Sequence, residues 1–234
     1  MIASEGRPVS LDEIAARTGL HKSIAYRLLR SLESAAFIGR DPKLGGYTVA
    51  ATFLSLSVLT VSRIDLRQSA RSAMEEIVSR HGETTSLHIP SGNLRVCIDV
   101  VEGSHAIRRA VPLGETLPLY AGETGRVLMS RLGEKELEPI LASAKASGTD
   151  LPRLRADLLR ARQQGYFIGI GVRTPDVGSI SVPLSGSVGI LGALTISGPA
   201  NRWNRAAMNA ALPAILKIIA PVVRALGGSE ISRS

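Results

Sequence analysis

Residues 10–49 constrain this 234-residue chain more than any other part of it. Ser10-Leu11-Asp12-Glu13 has the form of a capping box, in which the serine hydroxyl and the Glu13 carboxylate each satisfy a backbone N–H left free at a helix start. Leu11, Ile14 and Ala15 form a short apolar stripe, and Gly19 can take the positive φ that ends a helix, so a helix is expected at 11–18. A second is expected at 21–34. On a helical wheel Ile24, Ala25, Leu28, Leu29 and Leu32 share one face, and Lys22, Ser23, Tyr26, Arg27 and Arg30 the other. Two short helices around a glycine turn make a helix-turn-helix, whose second helix enters the major groove. The polar face suits phosphates and guanine edges, although a solvated helical hairpin would carry such a face too. A strand at 36–40, a turn at 41–46 and a return strand at Tyr47–Val49 then read as a wing, from which Arg40 and Lys43 could reach the DNA backbone or minor groove.

Residues 10–33, from Ser10-Leu11-Asp12-Glu13 to Ser31-Leu32-Glu33, resemble the DNA-binding domain of IclR-type bacterial regulators. Gly39-Arg40-Asp41-Pro42 and Gly45-Gly46-Tyr47-Thr48-Val49 are similar to that family's wing. The family normally has a full helix before the capping-box helix, where this sequence has Met1 to Gly6; either a truncated start or a winged unit short of part of its core is expected.

Charge agrees with an anionic partner but does not locate it. The net +8 is spread along the chain, with seven Lys/Arg against five Asp/Glu in residues 1–50. Aromatic residues make up only 3%, which argues against a single-strand stacking platform. The lone Cys97 excludes an internal disulfide or a CxxC motif and reads as a small core residue. His21, His81, His88 and His105 form no HxxxH or HExxH pair, so neither a metal nor another cofactor is expected. The longest apolar run, 214–220, is too short for a bilayer and the N-terminus lacks signal-peptide order, so the expected location is cytoplasmic.

Residues 51–64 are apolar and helix-compatible, a plausible linker helix between a winged unit at 1–50 and a larger domain at 65–234. In the larger domain a helix is expected at 65–80 and strands at 84–89, 94–101 and 106–111. Helices at 123–132, 134–146 and 151–164 follow, then strands at 166–172, 178–184 and 190–197 and a closing helix at 202–226. Antiparallel strands with segregated helices make the whole chain α+β.

Leu113 to Leu128, the helix-to-strand junction at 154–166, and the strands Ser179-Ile180-Ser181-Val182-Pro183 and Thr195-Ile196-Ser197-Gly198-Pro199 resemble the IclR effector-binding domain. That resemblance implies a GAF-like antiparallel sheet flanked by helices. It carries ligand contacts onto Leu117, Glu123, Thr124, Ser179, Thr195 and Ser197. The residues add support: Gly122-Glu123-Thr124-Gly125 opens a helix whose free N–H groups suit an acid, and Thr195 and Ser197 share one face of a strand. They could instead only bond neighbouring backbone. The family often has acidic residues after its Gly-Tyr strand, where this chain has Gly169 to Thr174, and Glu123 stands where a small residue is usual. A hydroxylated or partly apolar acid is therefore expected rather than a simple carboxylate. The reading is a non-enzymatic, ligand-responsive regulator that binds double-stranded DNA and a small organic acid as a homo-oligomer, dimer or tetramer. The alternatives are a small-molecule enzyme, for which Gly169-Ile170-Gly171 lacks the third glycine of a dinucleotide loop because Thr174 occupies it, and a winged helix that docks protein.

Overall fold

Ser10 sits in extended backbone ahead of α1 (Leu11–Thr18), and its Oγ accepts the Glu13 N–H at 3.2 Å. The computed structural model describes residues 2, 5, 7–42, 45–50, 66–186 and 189–228. The second half of the expected capping box does not form. The Glu13 carboxylate accepts instead from Arg7 at 2.7 and 3.0 Å and from Arg17 at 3.4 Å. Charge-assisted hydrogen bonds are roughly twice as strong as neutral ones, so the arginines displace the Ser10 N–H. Gly19, at φ 68°, closes the helix. Ser10→Ala should cost the winged unit about 1 kcal/mol, read as roughly fivefold faster hydrogen exchange at the α1 amides; unchanged exchange would show that the cap does not hold α1.

Helix α2 (Lys22–Ser34) follows, and a hairpin of β1 (Ile38–Arg40) and β2 (Tyr47–Val49) completes the unit with Gly39 opposite Thr48. Ala36 takes a positive φ of 55°, so β1 starts later than residue 36. Val9 bridges to Tyr47 and, with Ile14, Leu29, Ile38 and Tyr47, makes the core. The expected apolar face of α2 is only partly buried. Ala25 and Leu29 are covered, whereas Ile24, Leu28 and Leu32 are 41%, 52% and 41% exposed. The apolar arc is wider than the surface that α1 and the hairpin can cover. The chain separates into two units, Met1–Ile64 and Asp65–Ser234. The linker helix expected over 51–64 lies outside the described residues, as does Lys43.

The second unit runs α3 (Leu66–His81), β3 (Thr84–Ser91), β4 (Leu94–Val101), β5 (Thr116–Pro118), α4 (Gly122–Met129), α5 (Glu134–Ala146), α6 (Leu151–Gln164), β6 (Phe167–Ile170), β7 (Val177–Gly186), β8 (Gly189–Pro199) and α7 (Arg205–Ala225). The strands form one antiparallel sheet in the order β5-β4-β3-β8-β7-β6. The strand expected at 106–111 is a loop, and β5 takes the edge of β4 instead. The loop carbonyls are satisfied by side chains rather than by a ladder: Ile107 O accepts from Arg202 Nη2 and Arg109 O from Thr84 Oγ1, both at 2.7 Å.

Strand alternation then divides the sheet into two different faces. In β7 and β8 the apolar Ile180, Val182, Leu194 and Ile196 alternate with Ser179, Ser181, Thr195 and Ser197, all of them buried. The aliphatic face packs towards α3 and α7. The α7 stripe of Met208, Leu212, Ile215, Ile219, Val222 and Val223 is buried, each such side chain being worth about 1.5–3 kcal/mol. Contrary to the expectation from apolar run length, α7 is long and apolar enough to cross a membrane by length and composition; 44% of its most apolar window is buried within the protein. The opposite face meets α4 and α6, where Leu119, Val127, Leu128, Met129, Leu154 and Phe167 share a second core.

Candidate functional site

Two features of the chain can do chemistry with a partner, one in each unit.

The first is the polar face of α2. His21 caps this helix, its Nδ1 lying 3.5 Å from the Ser23 N–H and 2.9 Å from Ser23 Oγ. Burial of Ala25 and Leu29 fixes the rotation of the helix, so Lys22, Ser23, Tyr26, Arg27 and Arg30 all stand exposed. Lys22 reaches Asp12 at 2.5 Å and Arg30 reaches Glu33 at 3.5 Å. Arg27 makes no ion pair among the described residues, which leaves its guanidinium available to a partner. Arg40, on the hairpin, is less available. It donates to the Tyr47 hydroxyl at 2.8 Å, lies over the Tyr47 ring at 5.0 Å and approaches Glu33 at 3.9 Å.

The second feature is a half-open cavity over the hydroxyl-bearing face of the sheet. Glu123, Thr124, Ser179, Thr195 and Ser197 all line it; Leu117, half-buried on β5, does not. Thr195 Oγ1 is 2.8 Å from Thr124 Oγ1 and 2.9 Å from Ser181 Oγ, so the strand hydroxyls are tied to the start of α4. Close packing makes this possible. A Cβ on Gly125 would lie 1.9 Å from the Leu119 carbonyl oxygen, and one on Gly169 would lie 2.7 Å from Glu123 Cγ. Among the described residues no side chain caps α4, so its first N–H groups depend on other partners.

The sequence reading missed the cationic wall of this cavity, formed by Arg95, Arg109 and Arg173 together with His88 and Glu115. Arg95 is 3% exposed. Its Nη1 donates to His88 Nδ1 at 3.0 Å, and His88 Nε2 lies 2.9 Å from Ser86 Oγ, which in turn reaches the Thr195 carbonyl at 3.3 Å. If Arg95 donates to Nδ1, the neutral imidazole must carry its proton on Nε2. Burial, with Arg95 and then Arg173 nearby, pushes His88 down to about 3, so it stays neutral at physiological pH. Burial and Arg173 bring Arg95 down to about 10, which still leaves it charged. Arg95 Nε has no hydrogen-bond partner among the described residues, and Arg95 Nη2 lies 3.7 Å from the position of a Cβ on Gly122 at the start of α4. This buried guanidinium is in no ion pair among the described residues, Glu115 and Glu123 acting on it only at longer range, and beside the positive end of a helix it favours an anion.

Glu123 does not supply that anion. Burial raises its carboxyl above the ordinary range, opposed by N–H bonds from its own backbone and from Val172 and by the charges of Arg126 and Arg95. Arg173 is 3.3 Å from Glu115. Behind the cavity Arg126, 7% exposed, pairs with Asp157 at 2.8 Å and donates to the Gly122 carbonyl at 3.0 Å, pinning the first turn of α4 to α6. The one cysteine is not part of this chemistry, since burial pushes the Cys97 thiol up to about 12. Among the described residues no group of three or more His, Cys, Asp or Glu could hold a metal ion.

Comparison with known proteins finds two matching regions. The IclR helix-turn-helix domain matches residues 1–42, and the C-terminal region of the bacterial transcriptional regulator IclR matches residues 58–223. The HTH-type transcriptional repressor AllR of Escherichia coli K12 is 28% identical over 208 residues, covering 86% of this chain and 77% of AllR. An IclR transcriptional regulator from Silicibacter sp. TM1040 superposes with a TM-score of 0.80 at 23% identity, covering 96% of this chain and 92% of that one. An IclR homologue from Microbacterium hydrocarbonoxydans, solved with 4-hydroxybenzoate, superposes with a TM-score of 0.74 at 21% identity, covering 96% and 95%.

Proposed function

The chain belongs to the IclR family of bacterial transcriptional regulators, and from that premise we propose that it is a non-enzymatic, cytoplasmic switch. In this reading the polar face of α2 reads operator DNA, and the cavity of the second unit binds a small organic acid that alters DNA affinity. The observation that carries the acid is Arg95: a buried, charged guanidinium with an unpartnered Nε beside the uncapped start of α4. A carboxylate there would accept from the guanidinium and from backbone N–H groups together, an arrangement that favours anions on both counts. The neighbour solved with 4-hydroxybenzoate supports the general class, since that compound is also an organic acid. Thr124, Ser179, Thr195 and Ser197 would orient the rest of the ligand by hydrogen bonds, and the paired winged units of a dimer or tetramer would read two half-sites.

The test is fluorescence anisotropy with duplexes selected from a random library, repeated across a panel of carboxylic acids. Binding that weakens steeply with salt and is shifted by an acid is expected. Thr124→Val and Ser197→Ala should remove the shift while leaving ligand-free DNA affinity within about twofold, because they belong to the other unit. DNA binding indifferent to salt, or variants that lose DNA affinity outright, would overturn the proposal. Light scattering that shows a monomer both free and on DNA would refute the paired reading.

A further inference from the structure

Resting on the reading that this cavity is the effector site, we infer that its ligand is a short, non-aromatic dicarboxylate. The wall carries more guanidinium groups than it holds in ion pairs. Of the three guanidinium groups, Arg173 is held by Glu115 at 3.3 Å. Arg95 and Arg109 are in no ion pair among the described residues, although the adjacent Arg108 is bonded to Glu102. The remaining carboxyl on the wall, Glu123, accepts backbone N–H groups and packs over Gly169.

Two cationic groups are thus left over, on separate elements: Arg95 on β4, and Arg109 on the loop between β4 and β5. A single carboxylate on Arg95 leaves Arg109 without an ion-pair partner, whereas a dianion engages both and adds a second charge-assisted bond. The wall between them is polar. Ser86, Thr124, Ser179, Thr195 and Ser197 face the space; among the described residues its only apolar side chains are Val111 and Val177, and no Phe, Tyr or Trp lines it. Ser86, Thr124 and Thr195 are already hydrogen-bonded within the wall, but an aromatic ring would lie against Ser179 and Ser197 without offering them a partner, so the lining disfavours aromatic acids. Carbon-bound hydroxyl or oxo groups would instead meet partners at that position. The small free volume, about 40 Å³, excludes a long chain.

Isothermal titration of the full chain at one fixed ionic strength, with L-malate, succinate, pyruvate and 4-hydroxybenzoate, tests the inference. Malate should bind at least tenfold more tightly than pyruvate or 4-hydroxybenzoate, and succinate should fall between malate and pyruvate. Arg109→Met should weaken malate at least tenfold yet change pyruvate less than threefold, a difference that a merely structural role for Arg109 would not produce. Pyruvate or 4-hydroxybenzoate binding as tightly as malate, or equal losses for both acids in Arg109→Met, overturns the dicarboxylate assignment and leaves the organic-acid reading standing. Silence from all four acids overturns both.

Discussion

Replacing Arg126 by methionine is expected to destabilise the second unit by about 3–5 kcal/mol, because Asp157 then remains buried with its short-range partner gone. Both side chains of this pair are almost wholly covered, at 8% and 9% exposure, so solvent cannot take the place of the guanidinium. Arg160, 3.7 Å from the other Asp157 oxygen and largely exposed, is too distant and too screened to compensate. The buried Trp203 is the only tryptophan in the chain and lies in this unit, so its fluorescence reports the urea transition directly. With an m-value of about 2–3 kcal/mol/M the midpoint should fall by roughly 1–2.5 M. The double variant Arg126→Met/Asp157→Leu should recover most of the loss, since two apolar groups no longer leave a bare charge. A single-variant loss below about 1 kcal/mol, or no recovery in the double variant, would show that this pair does not anchor α4. The prediction also bears on ligand binding, because Arg126 holds the Gly122 carbonyl at the edge of the cavity.

What could be read from the chain in advance follows from how local each signal was. Ser10, Gly19 and the turn at Gly45 act within a few residues of themselves, and α1, most of α2 and the hairpin follow from them. The α5 and α6 boundaries were equally local, set by the Glu136 side chain on the Gly133 N–H and by Asp150 on the Arg153 N–H. Strand pairing is not local. The alternation at 106–111 carried no information about whether β4 had a free edge, and that edge went to Thr116–Pro118. Likewise Ile24, Leu28 and Leu32 fell on the apolar arc of α2, but how much of that arc would be covered depended on the rest of the unit.

The cavity divides along the same line. Its hydroxyls sit at alternate positions of β7 and β8, a pattern visible in the residues themselves. Its arginines come from β4 and two loops and were not anticipated, although Arg95 stood as a charge at an inward position of an apolar strand. The irregular pairing at Leu87/His88 hid its direction. There Asp99 pairs with Leu87 while Cys97, two residues earlier, pairs with His88, so the strand changes face within one step. Asp99 therefore meets Arg67 and Arg71 of α3, while Arg95 turns to the cavity. Leu117 illustrates the converse. The resemblance carried it into the pocket, but it pairs opposite Arg95 on a three-residue edge strand and stays off the wall.

Arg27→Ala/Arg30→Ala should weaken binding to a selected duplex by about 2–4 kcal/mol, roughly 30- to 1,000-fold, with the larger share from Arg27. The inequality follows from their surroundings. Among the described residues Arg27 has no ion pair to give up, whereas Arg30 already spends part of its charge on Glu33 at 3.5 Å. Specific and random duplexes measured across a salt series separate the two roles an arginine can take. If Arg27 bonds a base edge, its removal lowers specific binding far more than random binding. If either arginine bonds a phosphate, its removal lowers both and reduces the salt slope by about one. Arg153→Ala/Arg155→Ala removes the same charge from α6 of the other unit, so it isolates the long-range effect of net charge and should stay within about threefold of the parent. If the two double variants lose affinity equally, DNA responds to the overall positive charge of the chain and the exposed face of α2 reads nothing. If only the α2 variant loses affinity, the rotation of α2 set by buried Ala25 and Leu29 is what places its charges against the groove.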